Sequence, residues 1–323
     1  MFLNVSASDL ENIISKPFLN LISVYITSYN KENYLEQAIE SVLAQSLQSQ
    51  DIVIVDDASS DSSRDIIDAY KSRYPHRINA IFNEQNLGIS KTRNIALEQC
   101  KGDIVTFLDG DDMFYPNKLL SEYEVLSSQK HLSVVYSNFY YINPFDEKVG
   151  IFSENNDEPA TGDILIETLL RQYHVSSGNN YIYEMYYKNC ALEIGNYDEN
   201  IILWEDWDFR IRMSTKYHYG YCQNVNSAYR RLENGLHNSS PEIHYREQIK
   251  IYKKNKHLTL KLNKEAKNLI HNRLYSQLKN LFVRISQINL KEKNYISFVI
   301  NSIEFLLTFR MKKALKFMFS ELT

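Results

Sequence analysis

Three carboxylates fall within four residues in Asp109-Gly110-Asp111-Asp112, directly after the apolar run DIVTFL. Such crowding is costly unless a cation is near. Mg²⁺ and Mn²⁺ are hard ions that take oxygen ligands and share their remaining positions with water and phosphate oxygens. Of Asp109 and Asp111, one could hold the metal and the other a ribose or a metal-bound water; a solvated acidic turn is the plain alternative. Asp56-Asp57-Ala58-Ser59-Ser60-Asp61 follows the run DIVIV, and Thr27-Ser28-Tyr29-Asn30 follows LISVYI. These groups either accept hydrogen bonds from a base and a ribose or cap the helix that follows. No GxGxxG accompanies them, which argues against a dinucleotide site. A third acidic set, Glu205-Asp206-Trp207-Asp208, can at the least complement the dipole at a helix start.

The elements that position these residues are legible in outline. Residues 21–26, 51–55, 78–82 and 103–108 are short, β-branched apolar runs that end in polar residues, as buried parallel strands do. Between them, residues 33–47 place Leu35, Ile39, Val42 and Leu43 on one helical face, with weaker helical patterns at 62–72 and 90–99. The alternation predicts an α/β domain with a mostly parallel central sheet flanked by helices, whose ligands bind beyond the carboxyl ends of the strands. Residues 130–240 read as the mixed remainder of that sheet, with strands at 132–140 and 219–229 and helices at 163–171 and 205–215. After Pro241 the pattern turns helical, with Leu274, Leu278, Leu281, Ile285 and Ile288 spaced by fours and threes. The predicted division is a domain over 1–240 and a basic C-terminal helical appendage over 241–323.

Composition narrows the class. The 323 residues are 44% hydrophobic and 24% charged, too apolar for disorder, and only 9 Gly and 6 Pro oppose repeat and collagen-like architectures. Three cysteines without a CxxC pair suggest neither a disulfide framework nor a zinc site and fit a reducing compartment. No secretory signal and no run of 18 apolar residues is legible, so the expected location is cytoplasmic. The net charge of -4 hides an asymmetry of about -16 over residues 1–244 against +12 over 245–323. A basic tail on an acidic body suits an anionic membrane surface better than nucleic acid, which is not expected as a partner.

In order, VYITSYNKENYLEQAIESVLAQ, IVIVDDASSDSS, NEQNLGISKTRNIAL, GDIVTFLDGDDMFYPNKL and WEDWDFRIRM form a set that resembles the inverting nucleotide-sugar glycosyltransferases of family 2, with a GT-A fold, over roughly residues 20–240. The resemblance implies transfer of a sugar from a nucleoside diphosphate, by family habit UDP, to an acceptor hydroxyl in bacterial surface polysaccharide or glycoconjugate synthesis. It implies that Thr27, Tyr29 and Asn30 line the nucleotide pocket, that Asp57 (with Asp56 as substitute) recognises the base, and that Arg93 approaches the nucleotide or its diphosphate. Asp109 and Asp111 match the DxD pair, Asp111 as the metal ligand for Mn²⁺ or Mg²⁺ and Asp109 beside it, with Asp112 behind them. Asp206, with Glu205 in reserve, corresponds to the catalytic base, whose help in deprotonating a poor nucleophile is worth ~10²–10⁴-fold. Tyr229-Arg230-Arg231 resembles a following YRxH, but Leu232 stands where a His is expected, which leaves His237 as a candidate metal ligand and Arg230 and Arg231 as candidate phosphate partners.

The aromatic, amide-rich segment 174–190 is a candidate lining for a saccharide or lipid-linked saccharide acceptor. The tail could pack on the body, dimerise through its leucine stripe, or rest peripherally on an anionic membrane through Lys312, Lys313 and Lys316 beside Phe309, Phe317 and Phe319. Two rival functions are nucleotidyl transfer, for which no glycine-rich basic loop follows the first strand, and a catalytically inactive sugar-nucleotide-binding scaffold.

Overall fold

A computed structural model describes residues 21–154, 158–172, 182–232, 235, 239–291, 301–303 and 305. Its first half alternates as the sequence predicts: β1 (Ile22–Ser28), α1 (Leu35–Leu43), β2 (Asp51–Asp56), α2 (Ser63–Arg73), β3 (Ile78–Phe82), α3 (Ile89–Gln99) and β4 (Ile104–Asp109). Every residue of β1 and β2 is buried, as expected where helices cover both faces of a sheet. α1 contributes Leu35, Ala38, Ile39 and Val42, an i, i+3, i+4, i+7 stripe, to the core. These strands lie parallel in the order β3-β2-β1-β4, so the order reverses beside β1. Such a switch point opens a crevice at the carboxyl ends of the strands. Register sets what lines it: Ser28 lies opposite Asp56, and Thr27 opposite Asp109. At the base of the sheet, Gly102 is required by close approach, because a Cβ there would meet the Leu21 carbonyl oxygen at 2.3 Å and the Ser23 nitrogen at 2.7 Å.

The second half comprises β5 (Met113–Phe114), α4 (Lys118–Ser128), β6 (Leu132–Ile142), β7 (Lys148–Ile151), α5 (Leu165–Leu170), β8 (Met185–Tyr187), α6 (Lys188–Glu193), α7 (Glu205–Ser214) and β9 (His218–Arg230). The sheet continues β4-β8-β6-β9-β5, with β8 antiparallel to both β4 and β6, β9 parallel to β6, and β5 antiparallel to β9. The sheet is thus mostly parallel, with short antiparallel ladders confined to its second half. Because β5 leaves the acidic turn after β4 and pairs Met113 with Ala228, the carboxyl end of β9 is brought beside Asp109–Asp112.

The C-terminal helices are α8 (Pro241–Thr259) and α9 (Lys264–Lys291). Pro241 opens α8 behind Ser240, whose hydroxyl caps the Ile243 N–H. The leucine stripe packs within the chain: Leu274, Leu278 and Ile285 are buried with Phe282, Tyr245, Ile249 and Phe305. α8 is also stitched to the body, since Asn255 donates to Asp208, Lys254 pairs with Asp198 and Asp208, and the Ile202 N–H donates to Glu247. The expected appendage therefore begins with a helix continuous with the body's packing. The basic residues 312, 313 and 316 and their neighbouring phenylalanines lie outside the described residues, as do 174–181 of the expected acceptor segment and His237. No helix among the described residues is long and apolar enough to cross a membrane.

Candidate functional site

The crevice is lined from three strand ends. After β1, Tyr29 is 47% exposed, and Asn30, at φ 53, accepts from the Ser60 N–H while its own N–H donates to the Ser59 hydroxyl. That leaves an open aromatic face on a loop braced against the end of β2. After β2, Asp57 accepts from Asn83 Nδ2 and from the N–H groups of Leu87 and Gly88, at 2.8–2.9 Å, and so holds the 83–88 loop closed over the crevice. Asp56 is fully buried and accepts from Ser59 and Arg64. Both members of the pair thus shape the pocket wall through bonds to their own neighbourhood.

After β4, the three carboxylates divide. Asp109 accepts from Thr27 Oγ1 at 3.1 Å and from Arg93 at 2.9 and 3.1 Å. Asp111 pairs with the Lys31 ammonium at 2.5 Å. Burial lowers the Lys31 pKa, but Asp111, Asp109 and Asp112 together raise it above its ordinary value. Asp112 is buried, accepts from the Arg230 N–H and the Tyr183 hydroxyl, and is pushed well above the carboxylate range by burial and by Asp111 and Asp109. It fastens the turn to β9, behind the other two.

Arg93 is not the surface charge that its helical position alone would suggest. It is 4% exposed, stacks 4.7 Å from the Phe107 ring, and lies 2.9 Å from both Asp109 and Glu205. Burial lowers its pKa, but Asp109 and Glu205 raise it well above normal, so it is a permanent cation joining the acidic turn to the start of α7. Glu205 is buried, and burial, opposed by Arg93 and reinforced by Asp206, raises its pKa to about 7. Asp206 is more open, with 24% of its side chain exposed, and accepts from Arg210 at 2.6 Å and from the Trp207 N–H. Burial would raise its pKa, yet Arg210 and Arg93 hold it below the ordinary range. Two adjacent carboxyls are driven apart by environment, the pattern that separates acid from base roles.

Tyr229 lies on β9, whose carboxyl end adjoins the acidic turn. Its pKa is raised by burial and then by the fields of Asp112, Asp109, Asp111 and Asp206. Arg230 is buried; its guanidinium bonds to the Asp111 carbonyl, Gln37, Asn143 and Asp146, which ties it to the loop instead of presenting it to a phosphate. Arg231 stacks on Tyr141 at 4.1 Å. Sequence reasoning missed Lys31, Tyr183, Glu184 and Arg210. Arg210, four residues after Asp206 on one helix, carried an i, i+4 signal, and Tyr183 and Glu184 lay within the aromatic segment 174–190; Lys31 carried none.

The donor set suits a hard cation on one condition. Among the described residues no three His, Cys, Asp or Glu side chains form a ready cage. Asp111 nevertheless faces a cation already, the Lys31 ammonium. One such carboxylate fits a Mg²⁺ or Mn²⁺ ion whose other ligands are phosphate oxygens and water.

Residues 23–232 match the family described as Glycosyl transferase family 2. Similar proteins include the minor teichoic acid biosynthesis protein GgaA of Bacillus subtilis, 33% identical over 192 residues, 58% of this chain and 41% of that one. The putative teichuronic acid biosynthesis glycosyltransferase TuaG of the same organism is 41% identical over 106 residues, 33% of this chain and 42% of that one. The UDP-Glc:alpha-D-GlcNAc-diphosphoundecaprenol beta-1,3-glucosyltransferase WfaP of Escherichia coli is 33% identical over 135 residues, covering 42% of this chain and 52% of that one. The matched region thus spans less than half the length of the first two. Among solved structures, S. aureus TarS 1–349 superposes with a TM-score of 0.60 at 19% identity, over 90% of this chain and 81% of that one. Its complex with UDP-GlcNAc gives 0.55 at 18%, over 89% and 91%. At these identities the likeness is one of fold.

Proposed function

Because this chain belongs to glycosyl transferase family 2, we propose that it moves a sugar from a UDP-sugar to a hydroxyl of a saccharide or lipid-linked saccharide during bacterial surface-glycan synthesis, with inversion at the anomeric carbon. The nucleotide half rests on the open Tyr29 face and the crevice of Thr27, Asn30 and Asp57, and is supported by the UDP-GlcNAc complex of the fold relative. The acceptor class is supported by the relatives named for teichoic and teichuronic acid biosynthesis and for transfer to a diphosphoundecaprenol-linked sugar. Reaction at the cytoplasmic face of a membrane, with the basic tail as its contact, follows from the same acceptor chemistry.

The observation that carries the reading is the joining of the acidic turn to the start of α7 by Arg93, which lies 2.9 Å from both Asp109 and Glu205, the neighbour of Asp206. Thr27 and Arg93 hold Asp109 in place, and Lys31 with Asp111 provides the charged patch against which a diphosphate docks. When bound at Asp111, Mg²⁺ or Mn²⁺ would stabilise negative charge on the departing diphosphate. Asp206, ionised because Arg210 and Arg93 outweigh its burial, takes the proton of the attacking hydroxyl from the opposite side of the sugar ring. The new glycosidic bond forms as the sugar–phosphate bond breaks, the proton goes to Asp206, and UDP leaves. Asp206→Asn is expected to lower transfer by ~10²–10⁴-fold while donor binding stays near normal. Transfer at the parental rate by that variant would remove Asp206 from this role, and release of pyrophosphate in place of UDP would replace the reading with nucleotidyl transfer.

A further inference from the structure

Tyr183 and Glu184 are consecutive residues whose side chains run to opposite halves of the site. Tyr183 sits at φ 55, a conformation that costs a bulky residue about 1–3 kcal/mol and persists only where its surroundings enforce it. Here the enforcement is visible: the Tyr183 carbonyl accepts from the buried Lys118 ammonium at 2.9 Å, and its hydroxyl donates to Asp112 behind the acidic turn. With Tyr183 fixed, the next side chain is aimed at α7.

Glu184 is 1% exposed and grips Arg210 with two hydrogen bonds, Nε to Oε1 at 3.1 Å and a terminal nitrogen to Oε2 at 2.9 Å. The other terminal nitrogen of Arg210 donates to Asp206 Oδ2 at 2.6 Å. A guanidinium is a rigid planar fork, so a bidentate carboxylate fixes its plane and thereby the direction of its third nitrogen. Arg210 is itself 1% exposed and has no solvent to share its charge with. Without Glu184, that charge would fall mainly on Asp206, drawing the carboxylate into a closed ion pair and weakening it as a base. Other charged or titratable groups acting on Asp206 include Glu205 on α7, Arg93 on α3, Arg171 after α5 and Tyr229 on β9.

We infer that Glu184 is the positioning residue of the base: it holds Arg210 so that Asp206 is oriented toward the acceptor and keeps its proton affinity. The inference rests on the reading of Asp206 as the base. It also couples the acceptor-side chain segment, through Tyr183 and Glu184, to both the diphosphate side and the acceptor side of the reaction.

The test is a cycle of Glu184→Gln and Asp206→Asn. Glutamine keeps the shape and an acceptor oxygen for Arg210 but drops the charge. In the parent background, Glu184→Gln is expected to lower kcat by about 10-fold or more, a share of the general-base factor, with UDP-sugar Kd close to parental and a thermal midpoint lowered by the loss of one charge of a buried pair. In the Asp206→Asn background the same substitution should alter the residual rate by no more than about 2-fold, because residues acting as a unit are non-additive. Parental kcat in Glu184→Gln, a loss that tracks donor affinity, or losses that multiply in the double variant would overturn the inference while leaving Asp206 in place. Parental transfer by Asp206→Asn would instead overturn the reading beneath it. Should Glu184→Gln alone fail to fold, Glu184→Gln/Arg210→Gln, which removes both charges, enters the same cycle under the same criteria.

Discussion

Glu205 offers a test in which stability reports on the site. Its carboxyl is 7% exposed and faces Arg93 at 2.9 Å, yet burial dominates and its pKa rises from the ordinary 4.5 to about 7. A carboxyl whose folded pKa lies above its unfolded one binds a proton more readily when folded. Its stabilising contribution is therefore full below the unfolded value near 4.5 and is lost as pH rises through about 7. At 1.36 kcal/mol per unit the whole effect is roughly 3 kcal/mol, of which about 2 kcal/mol disappears between about pH 5.5 and about pH 8. Urea unfolding of the parent and of Glu205→Gln across that window isolates the term, since titrations common to both cancel. The parent should lose about 2 kcal/mol relative to the variant as pH rises. Parallel curves, or a relative gain by the parent, would mean that Arg93 keeps Glu205 ionised throughout and would refute the division of protons between Glu205 and Asp206.

Two further expectations concern the cation and the scaffold. Asp111→Ala should abolish Mn²⁺-dependent donor binding by calorimetry, whereas Lys31→Met, which removes the ammonium paired with Asp111, should tighten Mn²⁺ binding several-fold by spin resonance, within the ~1 kcal/mol of a partly exposed ion pair. Donor binding unchanged in the first, or Mn²⁺ affinity unchanged in the second, would count against Asp111 as the ligand. Gly102→Ala drives a Cβ into the Leu21 and Ser23 backbone at the foot of β1 and should cost about 1–3 kcal/mol by urea unfolding, and a parental midpoint would contradict the close approach.

The parallel half of the fold was legible because buried strands between helices leave unbroken apolar runs, and β1 to β4 fall within two residues of the stretches predicted. β5, β7 and β8 span two to four residues, too short for any period to register, and β5 is the strand that carries β9 to the acidic turn. The acidic groups themselves could be picked out because charge following an apolar strand is unusual. Their division of labour could not, since Asp112 and Arg230 look as available as Asp111 and Arg93 until burial and hydrogen bonds are known. Arg93 shows the same limit from the other side: one arginine on a weakly patterned helix becomes the bridge between the two acidic centres only through the packing of α3 against β1 and β2. The leucine stripe of α9 has a coiled-coil spacing, but α8 supplies its partner within the chain.

The account's core is that the loop after β4 and Asp206 act on one sugar from opposite sides, in a single displacement. Proton NMR of the anomeric centre in the first-formed product, starting from an α-linked UDP-sugar, reads this directly. A β-linked product is predicted. An α-linked product would require either two displacements or attack from the leaving-group side, and would contradict the placement of Asp206 opposite the diphosphate.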